Sequence, residues 1–160
     1  MSKPEFPVCR RSNPSHGHAG TFAKRKARYR GCVQIRRIHH VAIIATDYAR
    51  SKAFYTETLG LTIIAENYRP ERKSYKLDLA LPGGSQLELF SFPDPPARLA
   101  WPEAAGLRHL AFAVDDVAVE LAALAAAGVR TEQLRTDEYT GKQMAFFFDP
   151  DSLPLELYEA

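Results

Sequence analysis

An α+β fold built from one βαβββ unit used twice is what the sequence predicts, and three observations predict it. HVAIIATDYARSKAFYTETLG (His40 to Gly60) lies over HLAFAVDDVAVELAALAAAG (His109 to Gly128) at an offset of 69, which falls to 68 after a one-residue gap. The offset of 68 then persists, laying LALPGGSQLELF (Leu79 to Phe90) over FFDPDSLPLELY (Phe147 to Tyr158). Self-similarity held across two separate blocks marks a duplicated structural unit. Between the copies, FPDPPARLAWPEAAG (Phe92 to Gly106) holds four prolines in fifteen residues. Such a stretch cannot continue a central strand and reads as a connector.

Each element follows in order. Val41 to Ala45 and Leu110 to Val114 are apolar runs of strand length. Asp47 and Asp116 come next, and their short carboxylates suit helix N-caps, where they accept orphan N–H groups of the first turn. In the second helix Val117, Leu121 and Leu124 recur at i, i+4 and i+7, giving a stripe to bury. Gly60 and Gly128 stand where a left-handed residue would end each helix. Three strands are expected after each glycine: Leu61 to Glu66, Ser74 to Leu81 and Ser85 to Ser91 in the first copy, and Val129 to Arg135, Gln143 to Phe148 and Pro154 to Glu159 in the second. The expected organisation is a domain over residues 36–160, with module one at about 36–91, the connector at 92–106 and module two at 107–160.

Charge separates this domain from what precedes it. The chain has 160 residues and a net charge of +2, but residues 1–35 carry eight Lys/Arg and one acid, whereas residues 36–160 carry a net −5. Hydrophobic residues at 46% and charged residues at 25% exclude a wholly disordered, collagen-like or coiled-coil chain. No apolar run approaches the ~20 residues that span a bilayer, so no membrane partner is expected. The two cysteines, Cys9 and Cys32, lie in the basic segment and provide no disulfide framework, and a cytoplasmic setting is expected. The segment itself lacks periodicity and reads as a basic N-terminal extension. A transit peptide, and a patch at KRKARYR (Lys24 to Arg30) that touches nucleic acid, phosphates or an acidic surface, are the rival accounts. Its Arg and Lys content alone is no argument for a nucleic-acid partner, and His16 and His18 on such an arm make a poor metal site.

Strand alternation then selects polar residues. His40 shares a face with Ala42 and Ile44, and the repeat favours it over His39 because His109 aligns with His40. Glu88 lies between Leu87 and Leu89, and Glu156 between Leu155 and Leu157. A carboxylate buried in an apolar strand without a partner costs several kcal/mol. Finding one at the same place in both copies calls for a compensating charge, which one divalent cation held by His40, Glu88, His109 and Glu156 would supply. Each residue alone is more often a core or surface residue; the joint pattern is the signal. Imidazole and carboxylate ligands suit zinc, nickel, cobalt, manganese or iron.

With IHHVAIIATDYARSKAFYTETLGL, QLELF, GLRHLAFAVDD and FFFDPDSLPLELYE in view, residues 36–160 resemble the vicinal-oxygen-chelate superfamily, and within it the small proteins similar to glyoxalase I. The resemblance implies paired βαβββ modules forming a curved mixed sheet around a metal, a homodimer, and His40, Glu88, His109 and Glu156 as ligands. It further implies a metal-dependent lyase or isomerase similar to lactoylglutathione lyase, acting on a small 2-oxo compound or its thiol adduct by enediolate chemistry. Glu156, with Glu88 for the opposite face, would move the proton. The alternative is a non-catalytic, metal-dependent small-molecule binding or resistance protein of the same fold. Glyoxalase I proteins carry Arg where this chain has Ile44 and Asn where it has Phe92, so the glutathione contacts do not carry over. Ser152 replaces the Gly common after DPD and is expected to strain its turn. Arg69, Lys73, Lys76, Gln86, Phe90, Lys142 and Gln143 are the residues that could shape a different substrate pocket.

Overall fold

Alternating leucines, capping aspartates and helix-ending glycines decide most of what the computed structural model shows for residues 35–99 and 102–160. The expectations for residues 1–34, including Cys9, Cys32, His16, His18 and Lys24 to Arg30, lie outside the described residues. Ile38–Ala160 form one compact unit.

Module one runs β1 (His40–Ala45), α1 (Tyr48–Ala53), β2 (Thr62–Arg69), β3 (Ser74–Ala80) and β4 (Gln86–Ser91). Module two runs β5 (Leu110–Val114), α2 (Val117–Ala126), β6 (Arg135–Thr136), β7 (Gln143–Phe148) and β8 (Pro154–Glu159). The two sheets have the same topology, β1-β4-β3-β2 and β5-β8-β7-β6. In each, the first strand pairs parallel with the last and the remaining pairs are antiparallel. The βαβββ repeat is therefore a repeat of folding.

The caps behave as the residues dictate. Asp47 Oδ1 accepts from Arg50 N at 3.0 Å and Asp116 Oδ1 accepts from Val119 N at 3.0 Å. Gly60 and Gly128 have φ of 68° and 77°, the left-handed region in which a Cβ is strained. α2 buries Val117 and Leu124, with Leu121 half-buried. The first helix differs from expectation. Its α-helical part stops at Ala53, and the chain widens into a π-helical turn over Phe54–Thr58. That wider turn buries the consecutive side chains Phe54 and Tyr55, which regular helical spacing would turn well apart.

The strand expected at Val129 to Arg135 also differs. Only Arg135–Thr136 form a ladder, and Thr131 makes an isolated bridge to Phe147. The partner of β6 slips by one residue between the bridge Thr131↔Phe147 and the pair Arg135↔Met144. β2 slips by one residue at the equivalent place, between Ile63↔Leu79 and Ala65↔Asp78. The bulge is duplicated with the module.

Side-chain alternation separates two faces. Ile43, Ala45, Leu77, Leu79, Leu87 and Leu89 of module one and Ala145, Phe147, Leu155 and Leu157 of module two are buried in one hydrophobic core. The opposite faces carry the polar residues. A loop joins the modules: Asp149, buried, accepts from Tyr55 Oη at 2.9 Å, Leu153 N at 2.7 Å and Asp151 N at 2.9 Å. Asp151 also accepts from Thr46 N at 2.9 Å, and Arg50 donates to the Pro150 carbonyl.

Candidate functional site

Strand register puts a histidine and a glutamate side by side twice. In β1 and β4, Ala42 lies opposite Glu88 and His40 opposite Gln86, so His40 and Glu88 are diagonal neighbours on one face. His40 Nδ1 is 3.7 Å from Glu88 Oε1. In β5 and β8, Ala111 lies opposite Glu156. His109 immediately precedes β5, and its Nε2 is 3.1 Å from Glu156 Oε2. The pairing expected from the repeat exists in each module. His39 is a neighbour of His40 rather than of Glu88, with the two Nδ1 atoms 3.0 Å apart.

The surroundings of the two pairs differ. Glu88 Oε1 is 3.1 Å from the Lys76 ammonium, which also contacts Asp78, the residue directly opposite Glu88 across β3 and β4. Asp78, and beside it Glu88, hold the Lys76 ammonium above its ordinary pKa. The compensating charge that Glu88 needs is thus partly supplied by the chain, through a residue read in the sequence only as a pocket candidate. Finding this partnership required the β3–β4 register, which composition does not give. Glu156 is more enclosed, with its side chain 8% exposed, and His109 is its ion-pair neighbour among the described residues. The His109 ring stands edge-on to Phe146, centroids 5.1 Å apart, and its Nδ1 is buried without a hydrogen-bond partner.

These features fit a divalent metal. Nitrogen and oxygen donors are preassembled in two pairs, and a buried carboxylate beside an imidazole nitrogen is a donor set that borderline divalent cations favour. Among the described residues no three of His, Cys, Asp and Glu come close enough to hold one ion. The described residues of one chain therefore present two His–Glu pairs and no larger cluster.

Other expected pocket residues are placed as follows. Arg69, at the end of β2, lays its guanidinium over Phe90 at 4.9 Å and Phe92 at 5.6 Å from the ring centroids. Lys142 and Gln143 are occupied with the chain end, Lys142 Nζ donating to the Glu159 carbonyl at 3.4 Å and Gln143 N to Glu159 Oε2 at 2.7 Å. Lys73 is exposed in a turn with φ 46°. A cavity of about 600 Å³ opens beside His109, lined in part by Arg108, Arg130, Arg135, Phe146 and Phe148.

Residues 37–157 match the profile of the Glyoxalase/Bleomycin resistance protein/Dioxygenase superfamily. The chain belongs to this superfamily. A Bacillus subtilis (strain 168) protein, YwkD, is 59% identical over 125 residues, 78% of this chain and 98% of that protein. The crystal structure of a glyoxalase family protein from Enterococcus faecalis is 53% identical, covering 78% of this chain and 98% of that one, with a TM-score of 0.73. The trypanothione-dependent glyoxalase I of Leishmania major is 30% identical, covering 78% and 87%, with a TM-score of 0.62. Within this glyoxalase-type fold Ile44, two residues beyond Ala42 on the His40 face, is 54% exposed. It presents an apolar surface where the sequence resemblance would have placed a glutathione-holding arginine.

Proposed function

We propose that the protein is a divalent-metal-dependent lyase or isomerase of glyoxalase type, acting on a small 2-oxo compound or its thiol adduct by enediolate chemistry. In this reading two chains form a homodimer, the His40–Glu88 pair of one chain meeting the His109–Glu156 pair of the other around one ion. The supporting observation is the repeated pair itself: two equivalent half-sets, each short of a metal's needs, and no third ligand beside either among the described residues. A two-fold axis that brings the module-one pair of each chain against the module-two pair of the other completes two sites at once.

A bound divalent cation would polarise the adjacent oxygens of the substrate and offset the negative charge that develops as a proton leaves carbon. The glutamates then divide the labour. Lys76 restrains Glu88 from one side, which suits a residue that stays in place as a ligand. Glu156, 8% exposed beside His109 and opposite Phe146, and without a lysine neighbour among the described residues, suits the base that takes the proton from one carbon and returns it to the next. Ala42 and Ala111 leave room above each pair for a substrate to approach. The reading places the protein in the cytoplasm; among the described residues no helix is long and apolar enough to cross a membrane. The exposed Ile44 favours one rival, a binding protein of the same fold that holds its ligand without turnover.

Subunit complementation tests the proposal. A His40→Ala/Glu88→Ala chain and a His109→Ala/Glu156→Ala chain should each lose bound metal, measured by plasma mass spectrometry. Mixed after subunit exchange, they should regain one intact site per heterodimer, together with metal-dependent turnover of a methylglyoxal–thiol adduct. Wild-type protein without a divalent metal, and indifferent to chelator, would sink the site. Metal without turnover, unchanged by Glu156→Gln, would leave the binding protein.

A further inference from the structure

Arg69 has an unusual setting for a surface arginine. It is half-buried, its guanidinium lies over Phe90 and Phe92, and those rings are stacked with centroids 6.1 Å apart and planes 15° from parallel. Its Nη2 donates to Ser74 Oγ, while its Nε is buried with no hydrogen-bond partner. No carboxylate lies within 4 Å of it among the described residues. Aromatic stacking fixes the plane of a guanidinium and leaves its donors available for a planar or tetrahedral oxyanion.

The position of Arg69 ties it to the candidate centre. Phe90 is two residues beyond Glu88 on the same face of β4, and Lys76, opposite Phe90, has its ammonium 5.9 Å from that ring and 3.1 Å from Glu88. Charges around the centre also leave an excess. Two glutamates would neutralise a divalent ion and Asp78 offsets Lys76, so the Arg69 charge stays unmatched. An unpaired, partly desolvated guanidinium held over two rings on the strand face of the candidate centre calls for an anion.

We propose that Arg69, on its Phe90–Phe92 platform, binds a carboxylate or phosphate at the far end of the substrate, so that the substrate is a small anionic 2-oxo compound. The inference deepens the metal-dependent reading above and rests on it. Three 2-hydroxy acids that differ only beyond the hydroxyl carbon serve as probes in calorimetric titrations of metal-loaded protein: lactate, malate and 3-phosphoglycerate. Malate, 3-phosphoglycerate or both should bind at least about tenfold more tightly than lactate, the size of effect a charge-assisted arginine pair gives. The tighter of the two identifies the anion. Arg69→Met should abolish that preference with metal content unchanged; Arg69→Lys should keep part of it. Phe92→Leu, which retains the charge and loosens the platform, should weaken it severalfold. Equal binding of the three acids, or a preference that survives Arg69→Met, overturns the proposal. Chelator-treated protein titrated with inorganic phosphate separates the two failures. Phosphate binding that needs Arg69 in a protein that never holds metal removes the metal reading and keeps the anion site. Retained metal without an Arg69-dependent increment does the reverse.

Discussion

Modules one and two share strand order, bulge and His–Glu pair, yet they stabilise the glutamate by opposite means. At the offset of 68, Lys76 and Asp78 of β3 correspond to Met144 and Phe146 of β7, and in register Asp78 faces Glu88 as Phe146 faces Glu156. Module one surrounds its carboxylate with charges and leaves it 12% exposed; module two sets its own beside His109 and opposite Phe146, at 8%. The loops before the last strands differ in the same spirit. Leu81 to Gly84 (LPGG) corresponds to Asp149 to Ser152 (DPDS), so a glycine turn in one module is a buried hydrogen-bonding hub in the other. A duplicated backbone fixes where the His–Glu pair sits, while the neighbours decide how each carboxylate is held.

The largest expected effect breaks the loop comparison. Asp149→Ala leaves the Leu153 and Asp151 amides and the Tyr55 hydroxyl without their acceptor, and should cost about 2–4 kcal/mol in denaturant unfolding. Asp149→Asn retains an acceptor and should cost much less. Burial pushes the Asp149 carboxyl above its ordinary pKa, against the pull of its three donors. A carboxyl raised in the folded state favours folding below its ordinary value of about 4, and that contribution is lost as pH rises through the raised value. Wild-type stability should therefore decline relative to Asp149→Asn over the pH range just above about 4. A constant difference between the two across that range would show that the donors at least offset burial.

Much of this architecture is legible in the sequence. The strands Leu110 to Val114, Gln143 to Phe148 and Pro154 to Glu159, and both aspartate caps, follow from local pattern alone, because apolar alternation and capping act within a few residues. The His–Glu pairing within each module is legible only through the repeat, since His40 and Glu88 are far apart in sequence. The π turn at Phe54–Thr58 and the two register slips are not legible. Each depends on what the segment packs against: Tyr55 on Asp149 of the other module, and β2 and β6 on the register of their partners. Lys76 is visible as a charge, but its grip on Glu88 depends on the same long-range pairing.

A smaller effect sharpens the contrast between the glutamates. Lys76→Met gives module one the residue that module two has at that position, and leaves Asp78 and Glu88 facing each other as like charges. A loss of about 1 kcal/mol is expected at neutral pH, consistent with a partly exposed pair. The raised Lys76 pKa sets the sign in alkali. Its contribution is complete below the ordinary lysine value of about 10.4 and disappears as pH rises through the folded-state value, so wild type and variant should converge above about pH 10. Parallel denaturation curves at neutral and alkaline pH check this; a gap that persists in alkali would make the role of Lys76 one of packing.

Ser152 offers the smallest effect. It adopts φ 65°, a left-handed conformation that costs a residue with a Cβ about 1 kcal/mol, and its counterpart Gly84 occupies the same region at φ 83°. Its hydroxyl makes no hydrogen bond among the described residues, and its amide donates to the Asp149 carbonyl at 3.0 Å whichever side chain is present. Ser152→Gly should therefore stabilise the protein, by about 0.5–1 kcal/mol after the added freedom of the unfolded chain is counted. Gly84→Ser should destabilise it by a similar amount. Opposite shifts in melting temperature from this reciprocal pair would show that the two loops share one backbone requirement beneath their different side-chain chemistry. Shifts of the same sign would mean that the DPDS hub has freed module two from the constraint its copy still obeys.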